Sequence, residues 1–320
     1  MTQIAIYEQF TGLKADRQIK AVIGMSRDKF DKLSPVFTAS YAAIQQERLQ
    51  NKEIKKLPWG GRDPVLDTPE KQLFFTLFYL KTYPTFDVLG FHFGLSAGHA
   101  RDYLVFFLRV LNLCLTTLKT LPVRHLDQVE DFKQATDNNK ELIIDGIEVP
   151  CVRPGDPEQQ KTRYSGKKKR HMLKVLIITN HARKILYLSP LFNGSTHDYA
   201  MMTASFAPTQ PWFKDFTLRA DLGFLGAPKD YRFGTNILLP HKKPRQSKNH
   251  PNPSLTEQQK TENHAFSKIR VAVEHAIGGM KHFHCLTHRI RQHSMSLIDQ
   301  FFGLSAGLWN FKSFTINSFS

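Results

Sequence analysis

ELIIDGIEVP, residues 141–150, sets an aspartate directly after the apolar run Leu142-Ile143-Ile144. The run reads as a buried strand with Asp145 at its end, where a carboxylate without a counter-charge is costly. The charge therefore asks for a partner. FTLRADLGFLG (216–226) repeats the arrangement: Asp221 closes an apolar strand, and Gly223 follows two residues later. Acids at the C-terminal ends of neighbouring strands converge on one edge of a sheet, where α/β folds place their chemistry. Aspartate near glycine is also common at turns, so neither site is decisive alone.

A third acid lies in FSKIRVAVEHAIGGMK (266–281), which has the spacing of an amphipathic helix with Val271, Val273 and Ile277 facing a core. Glu274 sits among them, four residues after Arg270 and seven before Lys281. At ~100° per residue these three fall within ~40° of one another, so one helical stripe presents an acid flanked by two cations. A surface salt-bridge ladder has the same pattern.

Around these acids the chain divides in character. Segments 28–50 and 70–83 carry apolar residues at helical spacing, with the loop KLPWGGRDP (56–64) between them. A polar stretch, 125–140, reads as a linker. Beyond it come five strand-length runs: 142–145, 174–179, 184–189, 216–221 and 235–240. A long helix is expected from about 256 to 282, capped by Ser254 or Thr256, and an apolar helix over 294–314. The expected organisation is a helical domain over 1–124, a linker over 125–140 and a mixed α/β domain over 141–320.

Charge narrows the function. Of 320 residues, 44 are basic and 28 acidic, a formal +16, which favours a polyanion over a neutral partner. No long basic amphipathic helix offers itself to a membrane, and the longest apolar run, LFFTLFYL (73–80), is too short to span one. MTQIAIYEQF lacks the features of a signal peptide. Three cysteines without a Cys-x-x-Cys pair suit a reducing compartment.

In this order and at this spacing, IIDGIEVP, YSGKKKRHMLKVLIIT, FNGSTHD, ADLGFLG and NHAFSKIRVAVEHAIGGMK resemble DDE transposases of the insertion-sequence-five and Harbinger type. The resemblance covers about residues 142–283. It implies an α/β fold, a ribonuclease-H-like mixed five-stranded sheet flanked by helices, preceded by an all-α helix-turn-helix domain. It also implies that Asp145, Asp221 and Glu274 form a catalytic triad holding two Mg²⁺ (or Mn²⁺) ions. Such ions activate an attacking oxygen and stabilise a leaving one. Arg270 and Lys281 are then expected beside phosphates. A tyrosine that completes this helix signature in related enzymes is replaced here by Ser267.

The resemblance places His197 and Asp198 of FNGSTHD near the site as accessory or phosphate-binding groups, although Ser195-Thr196-x-Asp198 also suits a helix cap, with Ser195 as the capping residue. Lys167, Lys168, Lys169, Arg170 and His171 lie in KTRYSGKKKRHMLK (161–174), an acid-free basic run fit for phosphate contact, and Lys242 and Lys243 lie in a second, PHKKPRQSK (240–248). Residues 70–111 look like a helix-turn-helix, with Ser96 capping a second helix whose His99 and Arg101 meet a groove. HFHCLTH (282–288) offers zinc-binding residue types without a second cluster at finger spacing, and a zinc site is not expected.

The function expected is DNA transposition: cleavage at the inverted repeats of an element and joining of the 3′-hydroxyl to double-stranded target DNA, by a homodimer on DNA. A Mg²⁺-dependent endonuclease without strand transfer is the enzymatic alternative. A domesticated, non-catalytic DNA-binding protein is the other. Location would be the bacterial cytoplasm, nucleoid-associated, or the nucleus of a eukaryote.

Overall fold

The structure, a computed structural model, describes residues 5–57, 65–136, 139–231, 236–246 and 252–314. Most of the loop expected at 56–64 lies outside these residues, as do the first residue of the expected strand 235–240 and the end of the second basic loop. The chain forms two compact units: residues 1–121 with 280–320, and residues 122–279.

The first unit is helical: α1 (Ala5–Thr11), α2 (Asp16–Ile23), α3 (Arg27–Gln50), α4 (Pro69–Thr82), α5 (Phe86–Phe93) and α6 (Ala97–Thr117). LFFTLFYL lies in α4, buried along nearly its whole length, as a helix apolar on every face must be. Thr68 accepts from the Lys71 N–H to cap it, and Pro69 opens it. Helix α5 ends at Gly94, in the left-handed conformation. Ser96 starts α6 by accepting from the His99 N–H at 3.2 Å. This is the helix-turn-helix expected from residues 70–111.

The second unit begins before the strand that carries Asp145. Helix α7 (Val129–Ala135) occupies the stretch expected as a linker, and its Phe132 is fully buried against Phe206, Phe213 and Phe216. One large apolar side chain in a polar run draws the segment into the core. There follow β1 (Glu141–Pro150), α8 (Pro157–Arg163), β2 (Tyr164–Ser165), β3 (Arg170–Thr179), β4 (Ile185–Leu188), β5 (Phe192–Asn193), α9 (Asp198–Ser205), β6 (Thr217–Arg219), α10 (Ala227–Asp230), β7 (Asn236–Leu238) and α11 (Glu257–Lys281). Among the described residues, these strands form one mixed sheet flanked by helices. The order is β2-β3-β1-β6-β7, with β4 and β5 also on β3. The five expected strands are β1, β3, β4, β6 and β7; β2 and β5 are two-residue additions.

Strand β1 changes partner along its length. Residues 141–143 pair in parallel with β6, and residues 143–150 pair antiparallel with β3. Its side chains alternate between faces. Leu142 and Ile144 join Leu176, Ile178, Met201, Met202 and Leu218 in the core on one face, while Ile143 and Ile147 are buried outside that cluster.

The last helix, α12 (Met295–Ser313), was expected with the α/β domain and instead packs in the helical unit. Its Asn310 amide donates to the Thr120 carbonyl at 2.9 Å, and Gly307 lies against Leu115 and Leu121. Periodicity shows that 294–314 is a helix but not which core it completes. Among the described residues, no helix is long and apolar enough to cross a membrane.

Candidate active site

Asp145 is not at a strand end. It lies within β1, directly opposite Ile177 of β3, because the antiparallel ladder continues to Pro150. What ends near it is the parallel ladder: Ile143 and Arg219 are the last pair of β1 with β6. Asp145 and Asp221 each stand two residues beyond that pair, so they are level at the point where the strands part. Asp221 caps a 3₁₀ turn over 222–224, accepting from the Gly223 N–H at 2.7 Å. It is thus a turn residue as well as a neighbour of Asp145.

Both oxygens of Asp145 have donors. Oδ2 accepts from the Arg270 guanidinium at 2.7 Å, and Oδ1 from the Gly146 N–H at 2.8 Å. Arg270 and Asp145 are largely buried, their side chains 15% and 17% exposed. Burial pushes the Asp145 carboxyl up to about 6; Arg270 and the Gly146 N–H pull it down, while the charges of Asp221 and Asp198 push it higher. Burial and like charge outweigh the guanidinium. The Nε of Arg270 is buried without a partner.

Helix α11 delivers Arg270. Thr256 and Gln259 cap it reciprocally, each side chain accepting from the other's backbone N–H at 3.1 Å. The buried face is Ala272, Val273, Ala276 and Met280; Val271, expected in the core, is 36% exposed, and Ile277 is half-buried. Glu274, one turn after Arg270, is exposed. Lys281 ends the helix. Among the described residues, no three carboxylate, imidazole or thiol side chains gather closely enough to hold an ion. The structure thus brings Arg270 onto Asp145, with Asp221 near enough to act on the Asp145 charge, and leaves Glu274 exposed one turn further along α11.

Asp198 is drawn into the group. The expected cap at Ser195 is absent: α9 begins at Asp198, His197 occupies the cap position without a side-chain bond, and His197 is exposed. Asp198 faces Lys174, whose ammonium lies 3.4 Å from Oδ1 and also pairs with Glu148 at 2.9 Å. Lys174 closes the basic run read as a phosphate contact, yet it is 7% exposed and turned inward. Its position directly across from Glu148 is a register fact that composition does not reveal.

The remaining basic run is outward. Lys167, Lys168 and Lys169 form the exposed turn between β2 and β3, and Arg170 and His171 begin β3. Lys242 and Lys243 are exposed beside His241, whose N–H donates to Asn263 of α11 at 2.7 Å. In the helical unit, His99 and Arg101 are exposed on α6. Within HFHCLTH, Cys285 is buried on Ser305, its thiol pushed up to about 12 by burial, His282 faces Lys81, and the His284 and His288 rings lie 4.9 Å apart. All three cysteines are buried, and none forms a disulfide.

The chain thus carries a helix-turn-helix and, later in the sequence, a mixed sheet with two acids level at a parting of strands, and sequence comparison gives the class of protein. The family model for DDE superfamily endonucleases matches residues 144–310, more than half of the chain, and the protein belongs to that family. The model for the helix-turn-helix of DDE superfamily endonucleases matches residues 64–117. The chain is 26% identical over 301 residues to a protein of Microchaete diplosiphon named probable transposase for insertion sequence element IS702, covering 92% of this chain and 94% of that one. No solved structure matches it significantly.

Proposed function

We propose that the protein is a DNA transposase that cleaves the ends of its element and joins the freed 3′-hydroxyl to target DNA, with Asp145, Asp221 and Glu274 as its catalytic acids. The observation that carries this reading is the level placement of Asp145 and Asp221, with α11 bringing Arg270 onto Asp145 and Glu274 one turn behind. Family membership and the likeness to a transposase over nearly the whole chain support it.

The donor set fits hard divalent cations. All three acids offer the hard oxygen ligands that Mg²⁺ and Mn²⁺ prefer. Asp145, Asp221 and Glu274 would hold two such ions, which supply Lewis-acid activation of the attacking oxygen and stabilisation of the leaving one. Arg270 compensates Asp145 and, with Lys281, supplies cationic donors on the helical stripe for a DNA phosphate. Lys167, Lys168, Lys169, Lys242 and Lys243 bind the backbone without regard to sequence. The helix-turn-helix reads the inverted repeat through His99 and Arg101 of α6. Two element ends processed together call for a homodimer on DNA.

The test is incubation of the full chain with duplex DNA carrying the element's terminal repeat, a target duplex and Mg²⁺, with products resolved by length. Cleaved and joined products are expected, lost in Glu274→Gln and Asp145→Asn while DNA binding persists. Cleavage without joined products would make the protein a nuclease only. Binding without cleavage, unaltered by either substitution, would make it a DNA-binding regulator.

A further inference from the structure

Strands β6 and β7 run parallel, with Arg219 opposite Leu238 as their last pair. The Ala220 N–H then donates to the Leu238 carbonyl at 3.1 Å. Two residues beyond that pair stand Asp221 after β6 and Pro240 after β7. Asp145 likewise stands two residues beyond the last pair of β1 with β6, so the loop that opens at Pro240 leaves the sheet by the same edge as the two acids. That loop, PHKKPR over 240–245, is exposed from His241 onward. Pro240 and Pro244 each fix a φ angle, so an anchor on one residue is carried to its neighbours.

The anchor is on His241, and α11 supplies it. The Asn263 side chain takes both backbone groups of His241: its Oδ1 accepts from the N–H at 2.7 Å, and its Nδ2 donates to the carbonyl at 3.0 Å. It bonds the loop as a neighbouring strand would. Glu262 adds a contact at 2.5 Å between Oε2 and His241 Nε2, and its Oε1 accepts from Gln258 at 2.9 Å. Both oxygens of that acid are engaged, and among the described residues Lys242, Lys243 and Arg245 make no ion pair. Asn263 precedes Arg270 by seven residues, which puts it within ~20° of the same helical face and about 10 Å away along the axis. The helix that lays a guanidinium on Asp145 therefore also fixes the loop cations, from two turns earlier.

We propose that Asn263, with Glu262, is a positioning residue for DNA: it clasps the 240–245 loop to α11 so that Lys242, Lys243 and Arg245 hold phosphates of the strand that passes Asp145 and Asp221. The role deepens the transposase reading and rests on it for the place of cleavage. Charge alone says that removing Glu262 tightens DNA binding and that the neutral Asn263 is indifferent. Positioning says that losing either weakens it, because long cationic side chains on a freed loop must be ordered at the moment of binding.

The test is fluorescence anisotropy of the full chain with a labelled duplex carrying the terminal repeat, in EDTA so that nothing is cleaved, at several salt concentrations. Thermal unfolding is run on each variant. Lys242→Gln with Lys243→Gln is expected to weaken binding and to flatten the plot of log affinity against log salt by up to ~2. Asn263→Ala is expected to weaken binding about fivefold or more, the cost of ordering two side chains, and to add little on top of the two Gln substitutions. Unaltered binding in Asn263→Ala, or losses that add in the combined variant, would overturn the positioning role. Should Asn263→Ala fail to fold, Glu262→Ala carries the test: weaker binding supports the clasp, and tighter or unaltered binding counts against it. The path of the strand is read by a photocrosslinker attached to the thiol of a Lys243→Cys variant, the native cysteines being buried. Crosslinks within a few nucleotides of the element end are expected, and crosslinks only elsewhere would overturn the placement. Clasp-dependent binding with crosslinks at the end, but without Mg²⁺-dependent cleavage, would support the clasp and overturn the transposase reading alone.

Discussion

Asp145 and Asp221 stand level because β1 and β6 run parallel and stop pairing at Ile143 and Arg219, two residues before each acid. Beyond that pair β1 keeps its ladder with β3 while β6 turns away into the 3₁₀ turn capped by Asp221. The parting of two parallel strands makes the crevice in which α/β sheets hold ligands.

The Arg270 guanidinium holds the Asp145 carboxylate that a cation would need. Arg270→Ala should therefore strengthen Mn²⁺ binding to the metal-free protein while slowing DNA cleavage, since it removes both a competitor and a phosphate donor. Calorimetric Mn²⁺ titration alongside cleavage rates separates the two effects. Weaker Mn²⁺ binding in the variant would count against this role.

Asp145 gives the site a pH dependence. Its folded-state value of about 6 lies above the ordinary 3.8, so the folded protein binds the extra proton. The contribution to stability is therefore present below about 4 and is lost as pH rises through about 6. A cation offsets the charge only where Asp145 is ionised. Added Mg²⁺ should raise the unfolding temperature at pH 8 by more than at pH 5, and its binding near pH 6 should release protons into the buffer. Equal shifts at both pH values would remove Asp145 from the cation site.

The exposed turn carrying Lys167, Lys168 and Lys169 predicts a sequence-independent DNA contact. Replacing all three with Gln should weaken binding to any duplex and flatten the plot of log affinity against log salt by up to ~3. Fluorescence anisotropy at several salt concentrations reads both. A loss confined to one DNA sequence would not fit a phosphate contact.

In the helical unit, Ser96 caps α6 and Arg101 is exposed one turn further on. Ser96→Ala should cost roughly 1 kcal/mol of stability, measured by urea unfolding. Arg101→Ala should leave stability within ~0.5 kcal/mol and lower affinity for the terminal repeat more than for unrelated DNA. Equal losses on both DNAs would make Arg101 a backbone contact.

The acids and the long helix were legible because their signals are local: apolar runs ending in Asp, and a 3.6-residue period through Glu274. What depends on partners was not. The run 142–145 gives no sign that β1 exchanges β6 for β3 at Ile143, so Asp145 reads as a strand end although the strand continues. Lys174 reads as one more cation of a basic run because only its register opposite Glu148 turns it inward. The stretch 125–140 is polar by composition, and one residue, Phe132, decides its burial. Glycine next to each acid reads as a turn signal; in the fold a Cβ at Gly146 would also crowd Asp198, far away in the chain, and one at Gly223 would crowd both Asp221 and Asp198.

The helical unit is closed by a segment that arrives only after the α/β unit has been made, since α12 covers Leu115 and Leu121 and holds the Thr120 carbonyl. A polypeptide halted at residue 121 would display those groups bare, along with the rest of the surface that Phe301 and Phe302 bury. A chain ending there therefore lacks the segment that completes the core of its helical unit, and severing the chain between its two units would take two cuts rather than one.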